Sequence, residues 1–328
     1  MSIQITIIGL GQIGASIGLA LAEHNENIIR VGNDIEIATA KAAGKLGAVD
    51  EIKRNLPNSV RDADIIILSL PLSEIKETLG YIVQDLKEDA VIIDTAPVKK
   101  AVYMWMQELL PAGRSYIGIV PVINPEYLHE KEIGINAARE DLFHDGVTMI
   151  AAPPDTSGET VQLAADLAQL IGSQPLFTDI TETDGLMTSV HLLPQLTAAA
   201  LLDATVDHPG WNEARKLAGR PYAEATGASF YPESAKSLSD AALMNSENTI
   251  RALDRMIASL QRLKENISAE DKDALDEQLT SAEEGGLHWL DERRKAGWLF
   301  KEDKGGPSIN VAGIAERLFG IRQKKSRS

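Results

Sequence analysis

The chain has 328 residues, more than one hydrophobic core usually serves, and this length predicts two domains of roughly 150 residues each. Its 48 acidic residues outnumber 32 basic ones, and the resulting formal charge of −16 repels phosphate backbones, which excludes nucleic acid as a partner. There is no cysteine, so disulfides, thiolate metal sites and thiol nucleophiles are excluded together and a reducing, cytoplasmic setting is expected.

Residues 3–8 are a short β-branched run and residues 13–22 carry apolar side chains at helical density, which predicts strand, turn and helix. This apolar start lacks a positively charged leader, so it is expected to stay in the mature protein. A second strand is predicted over 28–33, a helix over 38–46, and over 63–70 a strand apolar enough to be buried on both faces. Strands over 90–94, 116–122 and 148–152 follow, with helices over 100–110 and 161–171. Such repeated strand and helix units predict an α/β, doubly wound sheet with its ligand at the carboxyl ends of the strands.

After Phe177 no further strand is expected. One long helix is predicted over 184–206, apolar nearly all round and interrupted at Pro194, which suits burial in a bundle or between subunits. His191, Pro194 and Gln195 within it argue against a membrane span. Residues 208–233, with Pro209, Gly210, Gly219, Pro221, Gly227 and Pro232, read as irregular structure able to cover a cleft. Amphipathic helices are predicted over 240–264 and 269–294, then a break at Gly305-Gly306-Pro307, a terminal helix, and a solvated basic tail at 322–327. The expected division is an α/β domain over 1–178 and an all-helical domain over 179–328.

The segment Gly9-Leu10-Gly11-Gln12-Ile13-Gly14 follows a predicted strand and opens a predicted helix, the context in which a Gly-x-Gly-x-x-Gly pattern becomes informative. Gly9 permits the tight turn, Gly11 lets backbone approach a pyrophosphate, and Gly14 lets helix and strand pack closely. The helix amides then face an anion. Asp34, twenty residues beyond Gly14 at the end of the second strand, is placed to accept hydrogen bonds from ribose hydroxyls. Its charge repels a 2′-phosphate and residues 33–36 contain no arginine, so the Rossmann cofactor expected is NAD rather than NADP. Ser69-Leu70-Pro71 and Thr95-Ala96-Pro97 end two later strands on the same edge and are expected to line the cofactor groove.

With these residues in place, the chain resembles the prephenate and arogenate dehydrogenases over most of its length. The resemblance rests on Gly9 through Ser16, Leu46-Gly47-Ala48-Val49-Asp50, Asp94 through Lys99, residues 137–143, and Asp184 with Pro194 ten residues later. It implies a Rossmann domain followed by a helical domain that dimerises, and NAD(P)-dependent oxidation of a cyclohexadienol coupled to decarboxylation. Several substrate positions depart from that pattern. Where the family has Gly-x-His-Pro this chain has Gly118-Ile119-Val120-Pro121, and valine exchanges no proton. Pro97 replaces a serine, Gly227 stands where an arginine is expected, and His191 lies one position early in Val190-His191-Leu192-Leu193-Pro194-Gln195. On a helix, that one position is about a quarter turn.

Hydride transfer to a nicotinamide leaves the protein to orient the substrate, accept a proton and exclude water. His191 is the candidate base, a helix histidine bonded to a carbonyl being its bland alternative, and Gln195 lies one turn further on the same face. Lys99 is a catalytic-site candidate for holding an anionic substrate or cofactor phosphate, or simply a solvated helix start; Asn124 is one for a substrate hydrogen bond or a cap; and Arg251, with Asn248 on the same helix, is one for a carboxylate or an ordinary surface arginine. Trp211 and Tyr222 are placed to cap the site or simply to pack. His24, His129, His144, His208 and His288 lack metal-ligand spacing, and no metal is expected. The leading expectation is a dehydrogenase acting on a small anionic metabolite; a protein that senses the dinucleotide without turning it over is the rival that Val120 and Pro97 keep open.

Overall fold

The computed structural model describes residues 2–24, 27–230 and 234–295. The terminal helix and basic tail expected from the sequence lie outside them. The first half is one eight-stranded sheet, in the order β3-β2-β1-β4-β5-β6-β7-β8. The strands are β1 (Ile3–Ile8), β2 (Ile28–Asn33), β3 (Glu51–Ile52), β4 (Ile65–Leu68), β5 (Val91–Asp94), β6 (Ser115–Pro121), β7 (Val147–Ala152) and β8 (Gln174–Asp179). All neighbours run parallel except β6 and β7, which pair antiparallel.

Helices α1 (Gln12–Ala20), α2 (Ile37–Leu46), α3 (Leu56–Val60), α4 (Leu72–Ile82), α5 (Lys99–Leu109) and α6 (Gly158–Leu170) cover the two faces. Alternation along the strands splits the core: Ile5, Ile7, Ile65 and Ile67 pack with Ile17 and Leu163 on one side. Ile8, Ile66 and Leu68 pack with Ile75, Leu79 and Val102 on the other. Strand order reverses between β1 and β4, and in a sheet of this kind ligands bind at such a switch point, beyond the carboxyl ends of the strands.

Several features differ from the sequence expectation, among them the two-residue strand β3 and a break at Asn245 in the helix expected over 240–264. The edge strand β8 was not foreseen, because its residues are largely exposed and Pro175 interrupts its apolar pattern. The long helix is continuous from Ile180 to Asp203 but starts four residues early and passes through a π turn: α7 (Ile180–Met187), the π turn (Thr188–Leu192) and α8 (Leu193–Asp203). Pro194 lies in the first turn of α8, where it needs no intrahelical partner for its nitrogen. Finally, the region expected to be irregular holds α9 (Trp211–Leu217) and α10 (Arg220–Gly227), each started directly after a glycine, Gly210 or Gly219. Within it Trp211 and Tyr222 pack on each other, ring centroids 5.8 Å apart.

The chain closes with α11 (Ala235–Met244), α12 (Ser246–Ser268) and α13 (Lys272–Lys295). The segment Ile180–Asp203 is long and apolar enough to cross a membrane, with 28% of that window buried. It nevertheless packs on α5, α11 and α12, and it carries the buried Asp184.

Candidate functional site

The glycine turn sits at the switch point. Gly9 has φ +90°, and a Cβ on it would lie 2.1 Å from the Ser69 carbonyl oxygen, so only glycine lets the turn rest against the end of β4. A Cβ on Gly14 would lie 2.0 Å from the Gly9 carbonyl oxygen, which is the close helix and strand packing expected of the third glycine. Space beside Gly11 is open. Its position as N-cap of α1 brings no side-chain hydrogen bond, so the start of that helix is left to backbone amides alone.

Asp34 adjoins this turn, its Oδ2 accepting from the Leu10 amide at 2.7 Å and its Oδ1 from the Glu36 amide at 2.8 Å. The Asn33 amide nitrogen donates to the Lys53 carbonyl at 2.6 Å, which ties the segment after β3 to the end of β2. Gln12 donates to the Ala137 carbonyl at 3.4 Å and Ser16 accepts from the Arg139 amide at 3.0 Å. The β6 to β7 connection therefore lies against α1 beside Ile13. On the same edge of the sheet, Ser69, Leu70 and Pro71 follow β4, while Thr95, Ala96 and Pro97 follow β5; the Thr95 hydroxyl donates to the Leu68 carbonyl at 3.4 Å.

Lys99 does not face this edge, and its expected contact with a ligand is corrected. It is fully buried, and Nζ donates to Asp94 Oδ1 at 2.8 Å, the Asp94 carbonyl at 3.1 Å and the Ile119 carbonyl at 2.7 Å, which uses all three protons. Burial pulls this ammonium below the usual lysine range, against the opposing pull of Asp94. Tyr116 donates to Asp94 Oδ2 at 2.7 Å, and burial, reinforced by that carboxylate, pushes its phenol well above its ordinary value.

His191 is half-buried in the π turn, and its carbonyl accepts from the side chain of the buried Gln195 at 3.0 Å. These two residues meet. Val120 stands in an apolar cluster with Met149 and Met187. Asn124 is committed locally: Oδ1 accepts from the Glu126 amide at 3.0 Å and caps a short turn. Its amide nitrogen reaches the Asp141 carbonyl only at 3.5 Å, so capping is the role this geometry gives it. Asn248 donates to Asn245 at 2.7 Å and accepts from Arg251, whose guanidinium is otherwise open to solvent.

Residues 17–177 match the family domain described as "Prephenate dehydrogenase, nucleotide-binding domain", and residues 180–281 the one described as "Prephenate dehydrogenase, dimerization domain". The chain belongs to the prephenate dehydrogenase family. Among its relatives, the prephenate dehydrogenase of Bacillus subtilis is 24% identical over 282 residues, covering 84% of this chain and 73% of that protein. The cyclohexadienyl dehydrogenase of Zymomonas mobilis is 25% identical over 290 residues, covering 87% and 95%. In fold, the chain is similar to Aquifex aeolicus prephenate dehydrogenase in complex with hydroxyphenyl propionate and NAD+, with TM-score 0.75, 22% identity and coverage of 88% and 98%. It is also similar to Synechocystis arogenate dehydrogenase, with TM-score 0.66, 22% identity and coverage of 88% and 100%. This member of the prephenate dehydrogenase family is thus an oxidoreductase built from a Rossmann nucleotide-binding domain and a helical domain of the dimerisation class.

Sequence reasoning missed two residues of this prephenate dehydrogenase family member that reach the carboxyl-end edge of the sheet from the helical side. Asp184, recognised only as a landmark, accepts from the Lys99 amide at 2.6 Å and the Lys100 amide at 3.2 Å. Burial raises its carboxyl above the ordinary range despite those two donors. Ser237, fully buried, accepts from the Leu72 amide at 3.1 Å. No sequence signal points to either contact, since each partner lies over 80 positions away.

Proposed function

We propose that this chain oxidises a small anionic substrate with NAD as hydride acceptor, in the manner of the prephenate and arogenate dehydrogenases. The observation that carries the reading is the sheet's switch point, where the glycine turn, the uncapped start of α1 and the Asp34 carboxylate meet at one edge of a chain of this family. The division follows: residues 1–178 carry the dinucleotide, and 179–328 supply substrate groups and the contacts between subunits.

When bound, NAD supplies the hydride-accepting ring. Gly9, Gly11, Gln12, Ile13 and Gly14 receive the diphosphate through backbone amides. Asp34 takes the adenosine ribose, and its charge favours NAD over NADP even though the segment of Lys53 and Arg54 is tied to Asn33 beside it. The turns at Ser69, Leu70, Pro71 and Thr95, Ala96, Pro97 wall the groove. His191 accepts the proton released from the substrate hydroxyl or amine, Gln195 steadies the His191 backbone, and Arg251, oriented by Asn248, offers its guanidinium to a substrate carboxylate.

The test is incubation of the purified chain with NAD or NADP and a panel containing prephenate, arogenate and other hydroxy and amino acids. NADH formation with at least one of them, faster than NADPH formation, is the expected result. Tight NAD binding with no turnover across the panel overturns it in favour of the sensing reading.

The active form is a cytoplasmic homodimer joined through the helical domain. Leu186, Val190, Ile250, Ile257 and Leu260 are 46%, 72%, 57%, 50% and 56% exposed in the single chain, more apolar surface than one helical region leaves to water without a partner. Sedimentation at micromolar concentration is expected to give the mass of two chains; the mass of one chain refutes the dimer.

A further inference from the structure

Three helices start from the edge read here as the dinucleotide site: α1 after β1, α4 after β4 and α5 after β5. The amides of a helix's first turn lack intrahelical acceptors, and the residue just before the helix usually supplies one. Neither α4 nor α5 is served this way, because their N-caps are Pro71 and Val98, whose side chains make no cap hydrogen bond. The acceptors come from the helical domain. Ser237 of α11 takes the Leu72 amide at 3.1 Å, and Asp184 of α7 takes those of Lys99 and Lys100 at 2.6 and 3.2 Å. Ser237 is 0% and Asp184 2% exposed, so water does not replace either contact.

Both acceptors are themselves held. The Ser237 amide donates to Ser234 at 3.2 Å, and the Asp184 carbonyl accepts from Asn245 at 3.0 Å and from the Thr188 hydroxyl at 2.7 Å. Asn245 in turn accepts from Asn248, the partner of Arg251. A continuous set of hydrogen bonds therefore runs from α12 to the first turn of α5.

We propose that Asp184 and Ser237 are positioning residues that cap α4 and α5 from the helical domain, so that the two cofactor-lining turns, 69–71 and 95–98, take their binding geometry only when that domain is docked. The proposal rests on the reading of this edge as the dinucleotide site. It explains why α1 alone of the three has no side-chain acceptor at its start: that position is kept for the ligand, whereas the other two helix starts are filled. By linkage, the dinucleotide in turn strengthens the docking.

The experiment is direct titration of the full chain with NAD, by calorimetry, alongside melting temperature. Ser237→Ala and Asp184→Asn are each expected to weaken NAD about 3- to 30-fold, the span of a lost cap. Ser237→Thr, which keeps the hydroxyl, restores wild-type affinity. Leu163→Ala, a core truncation on α6 that touches neither cap, lowers the melting temperature but leaves NAD affinity unchanged. Unchanged affinity in Ser237→Ala and Asp184→Asn overturns the proposal, as does an equal loss in Leu163→Ala, which would reduce the effect to general stability. If Asp184→Asn does not fold, the Ser237→Ala and Ser237→Thr pair decides alone. Failure of the wild-type chain to bind NAD is a different result and removes the reading of the edge itself.

Discussion

Replacing Lys99 with methionine is expected to destabilise the protein by about 3–5 kcal/mol, because it strands a buried carboxylate. Asp94 has no exposed surface, and without the ammonium its charge retains the Tyr116 hydroxyl at 2.7 Å and the Ala96 amide at 2.9 Å but no cation. The Asp94 and Ile119 carbonyls lose their shared donor at the same time. The interior is also shaped around this side chain: a Cβ on Gly118 would lie 2.7 Å from Lys99 Cδ. Chemical denaturation measures the loss. A Lys99→Met/Asp94→Leu double variant, which removes both charges, should recover part of it, and the non-additivity reports the coupling between them. A single variant within 1 kcal/mol of wild type, on the order of the error of such measurements, refutes the ion pair as an organising contact.

His191→Asn is expected to lower the rate on whichever substrate proves active by about 10²- to 10⁴-fold while leaving NAD affinity intact, the range for loss of a general base. Asparagine keeps a hydrogen bond but takes no proton near neutral pH. The position suits that role for two reasons. The π turn carries His191 three residues after Thr188, whose hydroxyl accepts from Asn245. Val120, at the position where the family pattern has a histidine, is packed with Met149 and Met187 and accepts no proton. A direct comparison of steady-state rates with NAD titration decides the matter: an unchanged rate removes His191 from the chemistry, and a fall in NAD affinity reassigns it to cofactor placement.

The strong local signals were legible in the chain itself. Ile3–Ile8, the glycine turn and α1 follow from a β-branched run, three spaced glycines and helical apolar density, all within twenty residues. The buried strand Ile65–Leu68 announces itself by continuous apolar composition. The edge strand β8 and the short helices α9 and α10 stayed hidden, because exposure and interspersed proline and glycine erase the period on which such reading depends.

What the sequence by itself determined is the architecture: a Rossmann turn after the first strand, a carboxylate at the end of the second, and a helical domain after the sheet. Only the tertiary structure decided what the polar groups near that turn do. It turned Lys99 inward to Asp94, committed Asn124 to a cap, and brought Asp184 and Ser237 to amides 85 and 165 positions away. The reason is physical: a buried donor or acceptor must be satisfied by whatever packing places beside it, and the sequence records the residue but not the partner.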